Sequence, residues 1–478
     1  MPDHCHGLAP SLASMNGTSN SSLIEQAELV AKAAKDAFDA AQRLDNAAAE
    51  RVKALALVKE ALTAAKGEIL AANANDMDIA RRQVKSGHMS TSLLKRLDLL
   101  SSASKFDDML QGVEDVANLP DLAGQITYAS RLDDGLDLHR ITCPIGVLLV
   151  IFEARPEVIN LGLTSPTLGN AAILKGGKES MHTQATMTDV IQNALSQTTI
   201  PSAYIQTVST REEISSLLKQ EHYIDLVIPR GSNDLVQSVQ NNTRIPVMGH
   251  SDGLCCMYLD EEMDVTKAIR VVVDSKARNS NLCGKGDEAK VILLSSLITT
   301  HWPTIAKALL EAGVTLRCDV ASLSALFTCD PAHQAQILPS HPSDYDTEFL
   351  SLDLAVLTVP SLLAAIVHTN KHSSKHTNAI ITESAAAGTQ FCRAVDAAGT
   401  YVNASTRFAD GFRYGFGTEV GISTGKTHAR GPVGLEGLMI YKYVIRSTGK
   451  AGHITADFSG ESGKKYLHES LPLEGSFL

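Results

Sequence analysis

The sequence predicts an α/β protein: two doubly wound α/β domains plus a small extension. Two observations carry this. Apolar runs of strand length recur, and helix-patterned stretches separate them, which is the mark of βαβ units around a parallel sheet buried on both faces. The chain has 478 residues, 44% hydrophobic and 20% charged. At about 150 residues per domain that is enough for more than one core.

The elements follow in order. Residues 1–22 are small and polar and read as a disordered extension, without the apolar stretch of a secretory signal or the Arg-rich face of a transit peptide. Residues 23–66 place apolar side chains at helical spacing, with an interruption near Leu44-Asp-Asn46. Helix continues over 73–85 and 104–117, and Pro120 and Gly124 punctuate it. Alternation on either side of Asp133-Asp-Gly135 predicts a hairpin over 125–141. The apolar run ending at Phe152 is then a buried strand, followed by strands at 171–174 and 223–228. Helices over 157–168, 180–197 and 211–219 lie between them. A second series has strands at 253–259 and 290–294 and helices at 265–274 and 300–312. Two such series predict a cleft.

Composition excludes several classes. Net charge is −11 and there is no block of Lys and Arg, so nucleic acid is a poor partner. No apolar run reaches the roughly 18 residues of a membrane span. Eight cysteines with no C-x-x-C pair read as reduced thiols of a cytoplasmic protein.

Several motifs bear on chemistry. Lys175-Gly-Gly-Lys-Glu-Ser180 lacks the spacing of a P-loop, but Gly176 and Gly177 after a strand let backbone N–H groups approach a phosphate. His368, His372 and His376 would share a face on an unbroken helix. The pattern ends that helix near Asn370 and supplies no nearby carboxylate, so packing and capping is the reading and no metal is expected. Gly415-Phe-Gly417 with Gly421 marks a loop, either a tight turn or a close backbone approach. Cys283 lies on a polar loop beside Lys276, Arg278 and Lys285, where a depressed thiol pKa and a structural thiol both fit. Cys143, Cys255 and Cys256 sit in apolar strands and read as core.

Four stretches and a fifth short one point further. They are Ala154-Arg-Pro-Glu-Val158; Gly169 through Glu179; Ile228-Pro-Arg-Gly-Ser232 with Pro246 through Gly253; and Tyr401 through Gly411 followed by Gly431-Pro-Val-Gly-Leu-Glu-Gly437, with Ser373-Ser-Lys-His-Thr377 between. Together they resemble the gamma-glutamyl phosphate reductases (glutamate-5-semialdehyde dehydrogenases), in particular the stand-alone fungal-type enzymes, from about residue 25 to 460. That family belongs to the aldehyde dehydrogenase superfamily. The resemblance therefore implies an aldehyde dehydrogenase-like fold. Its cofactor-binding domain would span 23–252, with hairpin 125–141 joining an oligomerisation element. A catalytic domain would span 253–430, and 431–478 would return to the cofactor domain and the oligomer interface.

The resemblance also implies roles. Cys283 falls on the family nucleophile. Lys175 looks like the lysine that contacts the adenosine ribose and can meet an NADP 2′-phosphate. Gly231-Ser232 resembles the turn that receives the pyrophosphate, and Glu348 the glutamate that holds the nicotinamide ribose. Substrate binding falls on Asn403, Ser405 and Arg407. Arg155 is a candidate for the phosphate or the oxyanion. For Arg155 and Arg407 a structural ion pair fits as well. The implied reaction is NADPH-dependent reduction of L-glutamyl 5-phosphate, an acyl phosphate, to the semialdehyde in proline biosynthesis. Pro246-Val-Met-Gly-His250 holds no Glu where hydrolytic relatives place their water-activating one. The implied protein is a cytoplasmic homo-oligomer, with a glutamate kinase as a further partner. The chain departs from the family pattern at Ser280, Gly284, Thr369 and Asn378. Two alternatives stand beside the reductase: an aldehyde dehydrogenase of altered acyl specificity, and a non-catalytic partner of glutamate kinase.

Overall fold

The computed structural model describes residues 20–102, 104–119, 121–153, 169–208, 211–249, 253–277, 288–326, 331–416, 419–459 and 463–473. Most of the expected extension, and the expected helix over 157–168, lie outside them. The N-terminal helix Asn20–Ala41 begins just inside that extension. It buries Ala27, Ala31, Ala34 and Ala41 on one face against the first sheet. Small side chains at this spacing give a helix a narrow apolar stripe that sits close to its neighbour. Helix Ala47–Ala64 follows the predicted break, and Lys66–Lys85 and Lys105–Ala117 complete the N-terminal layer.

The hairpin forms as β1 (Ile126–Asp133) and β2 (Leu136–Pro144). Next come β3 (Val147–Phe152), β4 (Ala171–Lys175), β5 (Ile205–Val208) and β6 (Leu226–Arg230). They make a parallel sheet in the order β5-β4-β3-β6, with Val150 opposite both Leu174 and Ile228. All six residues of β3 are buried, as a continuous apolar run requires of a central strand. The third strand starts three residues later than the sequence predicts. Tyr223 and Ile224 close a turn onto the Gln220 carbonyl instead of joining the ladder.

The second sheet is also parallel. It comprises β7 (Leu254–Leu259), β8 (Glu288–Leu294), β9 (Thr315–Cys318), β10 (Ile337–Pro339), β11 (Asp353–Val359), β12 (Thr377–Ile381) and β13 (Gly399–Val402), in the order β10-β9-β11-β8-β7-β12-β13. Helices Val265–Ala277, Trp302–Glu311, Leu362–His372 and Ala385–Ala394 flank it. Its core is separate from the first and centres on the fully buried Trp302.

After β13 the chain returns to the first core, which takes Val420, Val433, Leu435 and Leu438. A short pair, β14 (Gly421–Ser423) and β15 (Gly431–Val433), marks this return. Finally β16 (Met439–Ser447) pairs antiparallel with β2, and β17 (Glu469–Ser470) with β1. Cys143 is half-buried rather than core, because β2 belongs to this outer antiparallel sheet.

Helix Leu362–His372 runs two residues past the expected end at Asn370. His368 and His372 share a face and stack at 4.4 Å. The fold brings the carboxylate that the sequence lacked nearby: Asp346 Oδ1 lies 2.7 Å from His372 Nδ1. His376 is apart from them, buried beside Thr377 Oγ1. Burial, and then His372, push His368 down to about 4, so it is neutral at pH 7. Among the described residues no three His, Cys, Asp or Glu side chains are placed to hold a metal.

Candidate active site

In the first sheet the chain order reverses between β3 and β6. Open α/β sheets bind ligands beyond the carboxyl ends of the strands at such a reversal. Glu153 stands there after β3, and Gly231-Ser232 after β6. The Glu153 backbone N–H donates to the Arg230 carbonyl at 3.2 Å, and its Oε2 accepts the Ser232 N–H at 2.9 Å. Ser232 also caps helix Asn233–Asn242 through its hydroxyl. The first amides of a helix lack intrahelical partners and suit an anion, as the Glu153 carboxylate already demonstrates. A Cβ on Gly231 would stand 2.6 Å from that carboxylate and 2.7 Å from Leu235 Cδ2, so a larger residue would have to push both side chains aside.

One strand away, β4 ends in Lys175, which is 6% exposed. A Cβ on Gly176 would overlap the buried Gln184 amide, and one on Gly177 the Glu179 carboxylate. The backbone is bare at both positions because its neighbours fill the space. Lys175, Gly176, Gly177, Gly231 and Ser232 thus share the carboxyl edge of one sheet. Lys175 and the helix start at Ser232 are the groups there that could meet a dinucleotide phosphate, with Gln184, Glu179 and Glu153 occupying the space beside the glycines.

Glu348 comes from the other half. Its carboxylate lies 3.2 Å from where a Gly253 Cβ would stand, beside the start of β7. That is where the chain enters the second sheet.

The substrate-side candidates lie on one segment after β13. Ser405 caps the turn Thr406–Phe408. The Ser275 hydroxyl donates to Ser405 Oγ at 3.0 Å and accepts the Thr406 N–H at 3.3 Å. Ser275 lies in the last turn of helix Val265–Ala277, which leads into residues 278–287. The turn that carries Arg407 is therefore pinned to the helix that feeds the Cys283 segment. Arg407 Nη1 is buried with no hydrogen-bond partner among the described residues. Asn403 has a different local job. At φ 57 it is left-handed, and its amide bonds both backbone groups of Thr382, at 2.9 and 2.8 Å, joining the ends of β12 and β13. Farther along, Glu419 accepts the Gly411 N–H and lies 3.9 Å from Arg230 of β6, which ties this segment to the first sheet. Cys283 and Arg155 lie outside the described residues.

Among the described thiols, burial pushes Cys256 and Cys318 up to about 12 and raises Cys143 as well. They stay protonated at neutral pH. Ser275 and Glu153 carried no sequence signal, since their partners are 130 and 79 residues away. The Ser232 cap did carry one, because Ser-Asn-Asp before Leu235 is a helix start.

Two wound parallel sheets with a C-terminal return to the first core define an α/β scaffold of the aldehyde dehydrogenase type. A probable aldehyde dehydrogenase from Listeria monocytogenes has the same fold, with a TM-score of 0.60 at 13% identity over 90% of this chain and 98% of that one. No family model matches the chain. Other proteins are similar at higher identity, two of them as follows. The gamma-glutamyl phosphate reductase of Thermotoga maritima has a crystal structure that matches with a TM-score of 0.80 and 32% identity, over 88% of this chain and 98% of that one. The probable gamma-glutamyl phosphate reductase of Schizosaccharomyces pombe is 51% identical over 446 residues, 93% of this chain and 97% of its own. The chain belongs to the gamma-glutamyl phosphate reductase family.

Proposed function

We propose that the chain reduces L-glutamyl 5-phosphate to L-glutamate 5-semialdehyde with NADPH and releases phosphate, as a step of proline biosynthesis. Beyond family membership, one observation carries this reading. A guanidinium nitrogen without a partner among the described residues, on Arg407, sits on a turn bolted to the helix that leads into Cys283. An unsatisfied buried donor is costly, and a phosphate or carboxylate oxygen satisfies it.

The Cys283 thiolate attacks the acyl carbon, the carbon–oxygen bond to phosphate breaks, and a thioacyl enzyme remains. NADPH supplies a hydride for that carbon, after which the carbon–sulfur bond breaks and the thiolate returns. Arg407 and Arg155 neutralise the phosphate and the developing oxyanion, because a guanidinium fork matches either. Ser405 holds the Arg407 turn. Asn403 fixes the strand ends beneath it and offers any substrate contact from that position. Lys175, Gly176, Gly177, Gly231 and Ser232 seat the dinucleotide phosphates, and Glu348 the nicotinamide ribose. The high pKa values of Cys143, Cys256 and Cys318 leave those thiols unsuited to the nucleophilic role.

In this reading residues 23–252 bind cofactor, 253–430 carry the chemistry and 431–478 return to build the oligomer contact. Ile440, Tyr441, Tyr443 and Ile445 lie exposed along β16, an edge strand. Such an edge pairs readily with another chain, which supports a homo-oligomer measurable by light scattering. Among the described residues no helix is long and apolar enough to cross a membrane, and the proposed setting is the cytoplasm. A glutamate kinase would supply the acyl phosphate, and co-sedimentation tests a physical association.

The deciding experiment is reverse turnover. Pyrroline-5-carboxylate, NADP and phosphate should yield NADPH, and omitting phosphate or introducing Cys283→Ala should abolish the signal. Phosphate-independent turnover would identify an aldehyde dehydrogenase of altered acyl specificity. A folded, NADPH-binding but inactive protein would identify a non-catalytic partner.

A further inference from the structure

Lys290 is the third residue of β8, and it is 2% exposed. A lysine in a sheet interior needs its charge compensated, since burying an ammonium alone is expensive. One loop supplies much of the compensation. Lys290 Nζ donates to the carbonyls of Asp344 and Thr347, each at 2.7 Å. It also lies 4.6 Å from the centre of the Phe349 ring, within cation–π range. Glu348 stands between two of these contacts in sequence. The loop has its own internal braces: the Asp344 carboxylate accepts the His341 N–H at 2.8 Å and the Thr347 hydroxyl donates to the Ser343 carbonyl at 2.7 Å. Neither of these reaches Glu348; nearer the middle of the loop the Tyr345 hydroxyl donates to the Val356 carbonyl of β11 at 3.2 Å, Asp346 meets His372, and Arg317 of β9 lies 5.1 Å from the Phe349 ring. On the sheet side, Lys290 pairs in register with Cys256 of β7, the strand that begins beside Gly253. Lys290 also lies three residues after the segment 278–287 that contains Cys283.

We infer that Lys290 is a positioning residue for the cofactor: its buried ammonium draws in the Asp344 and Thr347 carbonyls and the Phe349 ring, and so sets Glu348 against Gly253 at the nicotinamide end of the site. This rests on the reading of Glu348 as the ribose contact. One side chain thereby links the strand that leaves the cysteine segment to the loop that bears the cofactor glutamate. An apolar residue at 290 would leave two inward-facing carbonyls unsatisfied and loosen the 347–349 end of the loop, while Tyr345 and Asp346 still anchor its middle.

The test uses the full chain and four proteins: wild type, Lys290→Met, Glu348→Gln and the double variant. NADPH affinity is read by fluorescence titration, and kcat in the reverse assay at saturating NADP. Hydrogen exchange of the 344–349 amides is followed by mass spectrometry. Lys290→Met should weaken NADPH binding about tenfold, the effect of losing one charge-assisted network. It should leave kcat within about threefold and speed exchange in 344–349. The double variant should bind no worse than Glu348→Gln, because both changes remove the same contact. Additive losses, or unchanged affinity and exchange in Lys290→Met when Glu348→Gln binds weakly, overturn the inference. If Glu348→Gln itself binds NADPH normally, the ribose reading fails. Faster exchange in Lys290→Met would still show that Lys290 holds the loop, and unchanged exchange would show that it does not. Should Lys290→Met not fold, Phe349→Leu removes the ring under the ammonium and is read in the same way, with a smaller loss expected.

Discussion

Arg407→Met should make the protein more stable and nearly inactive. In the free protein Nη1 is buried without a partner among the described residues, and an unsatisfied buried donor costs about 1–3 kcal/mol. The rest of the side chain is only half-buried, so the lower end applies, about 1 kcal/mol. Methionine keeps much of the apolar stem and removes the donor. For domains of 150–250 residues about 1 kcal/mol moves the melting temperature by roughly 2–4 °C, so scanning fluorimetry should show a rise of about that size. Turnover moves the other way. A guanidinium that meets a phosphate with two charge-assisted bonds at about 1.5–3 kcal/mol each accounts for two to four orders of magnitude in rate, taking roughly 1.4 kcal/mol per tenfold. The assay is the reverse reaction with phosphate varied, and kcat/KM for phosphate is the number to read. A variant that melts lower than wild type and keeps its phosphate kinetics would refute the reasoning. Arg407 would then be the structural ion-pair residue that the sequence allowed.

Other consequences are open to simpler tests. Ser275→Ala removes two contacts to the Arg407 turn, at 3.0 and 3.3 Å. A shift near 1 Å in a reacting group costs about a hundredfold, so kcat should fall by roughly ten- to a hundredfold while NADPH affinity is unchanged. Iodoacetamide at pH 7.5 should modify Cys283 and spare Cys256 and Cys318, whose thiols burial pushes up to about 12; peptide mapping checks this. His368 is held at about 4 against an ordinary 6.5. Between those values the unfolded chain takes a proton that the folded chain refuses, so stability falls as pH drops through that window. His368→Gln should flatten that fall in urea midpoints measured from pH 7 to 4. Arg430, Lys426 and Lys375 hold the Asp396 carboxyl well below its ordinary range. A depressed carboxylate stabilises above its unfolded pKa, so Asp396→Asn should melt lower at pH 7. The difference should shrink as the pH falls below about 4.

What the sequence made legible was whatever a local pattern encodes. The runs at β3 and β7, and at β4 up to Lys175, are apolar because both faces are covered, and they were placed within three residues. Strands β5 and β10 were not, since Gln206 and Thr207 or a three-residue edge carry no such run. Helix Asn233–Asn242 was missed because it buries only Val236 and Val239. The candidate site divides in the same way. Glycines and cysteines announce themselves by type. The Ser275–Ser405 bond, the Glu153 carboxylate on Ser232 and the Lys290 ammonium each join residues more than 50 apart, and no window of sequence contains such a pair. The two stacked histidines show the limit from the other side. Their spacing was visible, but Asp346 was brought to them only by the fold.

One bond ties the start of the first sheet to a residue made much later. Asn170 accepts the Gly146 N–H at 2.9 Å at the foot of β3, and its amide donates to the Leu438 carbonyl at 2.9 Å, 268 residues later. During synthesis at roughly 5–20 residues per second the ribosome needs about 15–55 s to reach that partner. Throughout that time β2 also lacks β16, and its edge stays open to solvent. The β1–β2 hairpin and the first core, which still lacks Val420, Val433, Leu435 and Leu438, therefore wait incomplete while the entire second sheet is made. A nascent chain stalled before residue 438 would be a target for chaperones rather than an enzyme awaiting its tail.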